Sequence, residues 1–279
     1  MTKYLIVNAD DYGHTAGISE GIRRAHLQGI VTSTTAMMNR PASILELPKA
    51  QSLCPNLGLG VHLTLTTGQP LLPPGQIPSL VDENGNFYHS DPFIARLNQI
   101  NPDQALAEWR AQVELFTRVT GRKPDHLDSH HHSSYFTPAL FERMLILASE
   151  LGCPIRKPFG ADSASSADYL PGGQPEKDFS DVQELLAKYH PLTSAVFCGD
   201  FYDETATLPQ LIEGIQRLAA SPHSTAELMC HPAVVDAELL AVSGYNTGRG
   251  KELNILCDPH ARALLMELGI KLVSFGELK

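Results

Sequence analysis

The chain has little that would tie it to a nucleic acid, a membrane or a disulfide framework. Its 21 lysines and arginines are outnumbered by 31 acids, for a formal net charge of -10. No basic surface is therefore on offer to a nucleic acid or an anionic membrane. No apolar run approaches the roughly 18 residues of a membrane span. The opening MTKYLIVNADD meets two acids too early for a signal peptide, whose apolar core is longer and ends at small residues. The five cysteines (Cys54, Cys153, Cys198, Cys230, Cys257) are odd in number and scattered, with no CxxC pair. That pattern argues against disulfides and thiolate zinc sites, and for buried thiols in a reducing compartment. These absences predict a cytoplasmic location with no nucleic-acid or membrane partner, and the acidity fits a small neutral substrate.

What is present is an ordinary core composition, 43% hydrophobic and 19% charged over 279 residues, enough for one large α/β barrel or two small domains. Short apolar or β-branched runs predict strands at 4–7, 30–38, 58–65, 125–129, 153–156, 193–199, 225–230 and 271–275. Helical spacing separates many of them, at 18–29, 44–53, 102–120, 138–152, 181–189, 207–220 and 258–269. Thr137-Pro138 is a helix start, a capping hydroxyl followed by proline at the first helical position. Prolines at 70, 73, 74, 78, 92 and 102 break the pattern into a long excursion over 66–102. A second long loop is expected over 157–192, with a Ser/Ala/Gly-rich stretch between Gly160 and Gln174. Alternation from end to end, with no shift in composition, predicts one α/β domain. Its architecture is a modified (β/α) barrel of seven or eight mostly parallel strands.

In such a barrel the chemistry gathers where strands end. Asp10 and Asp11 follow the first strand, His62 lies in the third, Asp128 and His130 follow DHL, and His231 follows TAELMC. Each has a plain alternative. Paired acids cap helices, a histidine among apolar residues packs in a core, His231 before Pro232 shapes a turn, and HHH is a polar loop. Their common placement at strand ends shifts the balance towards one site. In the run LDSHHHSS, period-two alternation would put Asp128, His130 and His132 on one face and turn His131 away. His130 is the favoured metal ligand of the three, with Asp128 as a carboxylate that orients a ligand imidazole. Arg156 is expected either to contact a sugar oxygen or to make a surface salt bridge. Arg249 and Glu252 are expected to orient His231 or Asp10, and Trp109 to pack within a helix.

The segments LIVNADDYG, GIVTSTTAMMN, GVHLTLTTGQP, GRKPDHLDSHHH and AELMCHPA, with GRGKEL as a weaker last block, resemble in order those of the YdjC-like carbohydrate deacetylases, the chito-oligosaccharide deacetylases. DYG stands where that family more usually has DFG, and HHHSS lacks a further histidine two positions on. The resemblance implies a modified barrel, a divalent metal on one Asp and two His, and hydrolysis of the N-acetyl group of an N-acetylglucosamine oligosaccharide. Carried over by position, Asp11, His62 and His130 become the metal ligands, Asp10 the general base and His231 the general acid. The family implies magnesium and a homodimer, whereas two imidazoles with a carboxylate suit zinc, cobalt, manganese or iron better on chemical grounds. Two competing expectations stand beside this one. One is a different metal-dependent hydrolase, an amidohydrolase or phosphoesterase, although NADD stands where an amidohydrolase would carry HxH. The other is a sugar- or metal-binding protein without turnover.

Overall fold

The computed structural model describes residues 2–158 and 179–278. The expected Ser/Ala/Gly-rich loop at 160–174 lies outside them. In chain order the strands are β1 (Lys3–Tyr12), β2 (Ser33–Ala36), β3 (Gly58–Leu63), β4 (Leu127–Ser129), β5 (Val196–Cys198), β6 (Thr225–Cys230) and β7 (Ile270–Leu272). They form one sheet in the order β4-β3-β2-β1-β6-β5, and every strand pairing is parallel. The ten-residue β1 serves two neighbours on one side. Its first residues, Lys3–Leu5, pair with β7, and Asn8–Tyr12 pair with β2.

The sheet curls into a half-barrel. The strand expected at 153–156 is reduced to a single bridge, Leu127 to Ile155. Ile155 N–H also donates to the Leu192 carbonyl, so this thin segment leads the curl from β4 towards β5. The described strands thus number seven, as expected of a modified barrel. β1 is buried over nearly its whole length, with Ile6, Val7 and Ala9 fully enclosed, which its continuous apolar run requires.

The helices are α1 (Ala16–Gln28), α2 (Pro41–Leu53), α3 (Ser90–Ile94), α4 (Pro102–Thr120), α5 (Pro138–Leu151), α6 (Phe179–Tyr189), α7 (Leu208–Ala220), α8 (Ala237–Val242), α9 (Thr247–Leu256) and α10 (Pro259–Glu267). Local chemistry sets their ends. The Thr137 hydroxyl accepts from Leu140 N–H at the start of α5, the Asn101 side chain caps α4, and Gly121 ends α4 in the left-handed region with φ 72°. Trp109 is fully buried in α4, as expected of helix packing. The excursion at 66–102 carries α3 and an antiparallel bridge, Val81 to Phe87. It buries Ile77, Leu80, Phe87 and Phe93, so it is a packed appendage of the core. α8 and α9 lie where no helix was expected. α9 has almost no amphipathic signature because the residues it buries include Arg249 and Glu252, and it turns these charges towards the strand ends.

Candidate metal centre and active-site cleft

Register builds the site. His62 on β3 sits directly beside Asp128 on β4, so His62 Nδ1–H donates to Asp128 Oδ1 at 2.7 Å. That bond fixes the tautomer and leaves Nε2 facing Asp11, 3.3 Å from Oδ1. His130 Nδ1 lies 3.1 Å from the same oxygen. On the far side of β1, Ala9 pairs with Cys230, which brings His231 beside Asp10; Nε2 is 3.9 Å from Oδ2. Adjacent strand residues ordinarily face opposite sides, yet both Asp10 and Asp11 line one cleft. A register shift between Ala9 and Tyr12 and a left-handed Asp11 (φ 71°) accomplish this.

The cleft has a volume of about 570 Å³ and is lined by Asp10, Asp11, His62, His130 and His231, with Tyr202 and Tyr245 along one wall. Such a volume suits a small ligand. Tyr202 and Tyr245 lie 4.3 Å apart between centroids, and the Tyr202 ring meets His231 edge-on at 5.4 Å.

Each cleft carboxylate is held by its own arginine. Arg156 grips Asp10 with both Nη atoms at 2.7 Å. It also reaches Asp128 at 3.0 Å and Glu227 at 2.7 Å. Fully buried, it is neither a sugar contact nor a surface salt bridge, and both expectations for it are corrected. Arg249 holds Asp11 Oδ2 at 2.5 Å, rather than Asp10 or His231 as expected. Glu252 does serve His231, accepting its backbone N–H at 2.5 Å, and it also accepts from the Tyr245 hydroxyl. Asn8, Thr35 and Glu227 complete the buried surroundings. Sequence reading missed Asn8 and Thr35 and left Glu227 unassigned. The available signal was strand period: Asn8 and Asp10 are two apart, and Glu227 pairs with Ile6 on β1.

The charges follow from these contacts. Burial works against ionisation of Asp10, but Arg156, aided by His62 and His231, outweighs it and holds the carboxyl well below its usual range. Asp11 behaves likewise under burial opposed by Arg249 and His130. Burial opposes a charge on His62 too, yet Asp128, Asp11 and Asp10 raise it to about 10. Three carboxylates thus make this point of the cleft welcome an added positive charge. Burial pushes His231 down to about 4, and Glu227 and Glu252 up to about 7.

The histidine run is not a continued strand. β4 ends at Ser129, and His131 and His132 are both left-handed (φ 52° and 54°). His130 alone joins Asp11 and His62. The His131 imidazole meets the Thr66 hydroxyl at 3.1 Å, and His132 packs edge-on against the Phe197 ring.

Among the described residues two groups could hold a metal ion, Asp11/His62/His130 and Asp10/His62/Asp128. The second already carries a cation, since Arg156 bridges both of its carboxylates, and Asp128 does not line the cleft. The first faces the cleft. Its donor separations of 3.1 and 3.3 Å match the roughly 3.0–3.4 Å edges of a polyhedron with metal–ligand bonds near 2.1 Å. The donor set fits a divalent ion.

A curled parallel α/β sheet whose strand ends gather carboxylates and imidazoles around one cleft defines the class, an α/β barrel with a metal-type site. More narrowly, the chain belongs to the YdjC-like family, whose model matches residues 4–267. It is 34% identical over 278 residues to a carbohydrate deacetylase of Enterococcus faecalis, covering 99% of this chain and 98% of that one. It is 33% identical over 278 residues to a chitooligosaccharide deacetylase of Yersinia enterocolitica, covering 99% and 100%. A crystal structure from Enterococcus faecalis V583, provisionally described as a cellobiose-phosphate cleavage protein, superposes with a TM-score of 0.85 at 32% identity, covering 99% and 98%. The Xyl-CE4 domain of a xylanase from the hindgut metagenome of Trinervitermes trinervoides has a TM-score of 0.51 at 8% identity, covering 99% and 89%. That last likeness is one of fold alone.

Proposed function

We propose that the protein is a metal-dependent carbohydrate deacetylase that hydrolyses the N-acetyl group of chito-oligosaccharides, such as diacetylchitobiose, or related N-acetylglucosamine sugars. One observation carries the reading: Asp10 and His231 lie side by side in the cleft next to the Asp11/His62/His130 donor set, in a chain similar over its full length to named deacetylases. Asp11, His62 and His130 would hold the metal, which when bound polarises an acetyl oxygen and acidifies water. Two nitrogen donors favour an ion of the zinc type over magnesium.

The chain's own groups supply the proton transfers. Asp10, kept ionised by Arg156, takes a proton from the water that attacks the acetyl carbon. His231 rests neutral and lies within 4 Å of Asp10. Because the Asp10 carboxyl is held well below its usual range, the proton runs downhill from Asp10 to His231 Nε2. His231 then gives it to the departing nitrogen as the C–N bond breaks, leaving acetate and a free amine. Positioned acid–base groups of this kind contribute on the order of 10²–10⁴-fold each.

Cleavage of a glycosidic bond is less well supported. It needs a carboxylic acid raised enough to protonate the bridging oxygen, and both cleft carboxylates are held below their usual range. The five cysteines are all free, which suits a cytoplasmic enzyme, and no described helix is long and apolar enough to cross a membrane. A homodimer completes the reading, to be checked by sedimentation. The central test is acetate release from N,N′-diacetylchitobiose by metal-loaded protein, beside chelated protein and the Asp11→Asn and His130→Ala variants. Release that survives in all three would sink the proposal.

A further inference from the structure

One buried imidazole is given no role by the proton transfers described above. His126, at the entrance of β4, is fully enclosed. Phe275 stacks on it at 4.2 Å with the planes 13° apart. Gly60 lies close by, where an added Cβ would come within 2.6 Å of the ring. Its Nδ1 is 2.5 Å from Asp125 Oδ1 and its Nε2 is 3.0 Å from Asn8 Oδ1. The amide nitrogen of Asn8 is 2.9 Å from Asp10 Oδ1, 3.3 Å from Asp128 Oδ2 and 3.4 Å from the Thr35 hydroxyl.

Donor accounting decides the state of the ring. The inward end of Asn8 meets two carboxylate oxygens and a hydroxyl whose own proton goes to Asp128. Only the NH₂ group satisfies those acceptors; turning the amide over would set its oxygen against a carboxylate. The Asn8 oxygen must then face His126, so Nε2 bears a proton. At Nδ1 the ring faces a carboxylate that already accepts the Leu59 N–H at 2.8 Å. That carboxylate takes the Leu59 N–H on Oδ2, so its Oδ1 is the acceptor of the 2.5 Å contact and the second proton sits on Nδ1 of the ring.

We infer that His126 is a buried, doubly protonated imidazolium, and that it is a positioning residue for the reaction: through Asn8 it fixes the orientation of Asp10 and Asp128. Its charge polarises the Asn8 carbonyl, which makes the NH₂ a stronger donor to both carboxylates. Asp128 in turn sets the tautomer of His62. The aspartate–histidine pair therefore supports both halves of the site from below, and Phe275 ties the C-terminal segment to that support. The part concerning Asp10 rests on the deacetylase reading; the protonation state does not.

The test has two arms. In Zn²⁺-loaded protein labelled with ¹⁵N-histidine, the signal that disappears in His126→Gln should show one-bond N–H couplings at both ring nitrogens at pH 7.5. An unprotonated Nε2 overturns the inference whatever the enzyme does. In the second arm, His126→Phe keeps the stacking on Phe275 and removes both donors. It should lower kcat for acetate release at saturating zinc by about 10- to 100-fold, with KM unchanged. His126→Gln, which keeps one donor, should recover part of that loss. Asn8→Ala should cost as much as His126→Phe, and the double variant no more than either alone. Losses that multiply, or a change in KM with kcat intact, reject the positioning role. Should His126→Phe not fold, the coupling measurement on the unmodified protein still decides. Absence of any acetate release from the unmodified protein refutes the deacetylase reading instead and leaves the couplings to judge the imidazolium.

Discussion

Replacing Arg156 with methionine removes the guanidinium that touches Asp10, Asp128 and Glu227 together. The guanidinium makes contacts of 2.7–3.0 Å and has no exposed surface. Stranding a buried charge in this way costs about 3–5 kcal/mol. At about 2–4 °C per kcal/mol for a domain of this size, the melting temperature should fall by roughly 6–20 °C. The pH dependence gives a sharper test. In the unmodified protein the Asp10 carboxyl is depressed, so its contribution is present at neutral pH and is lost as acid protonates it. In Arg156→Met, Asp10 and Glu227 sit buried without their cation and their pKa values rise. The variant then loses stability as pH increases, and its deficit should be larger at pH 8 than at pH 5.5. The acid limb of the pH–rate profile should move upward for the same reason, with acetate release down by about 10²–10⁴-fold. Arg156→Lys, whose single ammonium cannot span both Asp10 oxygens, should fall between. Thermal melts at the two pH values with matched acetate assays check this. A melting temperature within about 2 °C of the parent at pH 8, or a deficit larger in acid, would refute the reasoning.

Further outcomes follow from the same geometry. Metal uptake should release close to one proton per site at pH 7.5, because His62 is raised to about 10 in the metal-free cleft and must give up that proton to bind; calorimetry in buffers of different ionisation enthalpy measures it. Asp11→Asn and His130→Ala should lose tight binding of the ion, read by metal analysis after gel filtration. In the parent, metal at 100 times its Kd should add about 2.7 kcal/mol of stability. His231→Asn should lose most activity on the N-acetyl sugar and much less on an acetyl substrate with a good leaving group, since only a poor leaving group needs the proton. Equal losses on both would remove His231 from the role of acid.

Much of this site was legible because strand ends are legible. Asp10, Asp11, His62, His130 and His231 each follow or lie within a run of apolar or β-branched residues, and a parallel barrel brings such ends together. Reading failed where partners come from elements of unrelated period. Arg156 was expected to meet a sugar oxygen or to make a surface salt bridge, because a strand too short to show alternation gives no clue to facing. Arg249 and Glu252 lie on α9, which was not recognised as a helix since the face it buries is charged. Asn8 follows the strand expected at 4–7, His126 lies in the one expected at 125–129, and neither was given a role. What commits them to the site is a set of hydrogen bonds spanning up to 120 positions, and one sequence contains no signal for those.

The backbone at the site carries the remaining argument. Non-glycine residues with positive φ are uncommon and cost of order 1–3 kcal/mol when held in place. Here Asp11, His131 and His132 are three of them, and all three line the cleft. At Asp11 the consequence is direct, because an unbroken strand would send one acid of the pair into the barrel wall. The left-handed turn at His131 and His132 keeps β4 from continuing past Ser129, so His130 faces Asp11, His131 stacks on it at 3.9 Å and His132 turns towards Phe197. The run LDSHHHSS is thus neither a solvated loop nor a cluster of three ligands. The strain divides it into one donor facing Asp11, one ring on the cleft wall held by Thr66, and one packed against Phe197. A site tuned for stability alone would have no use for that division.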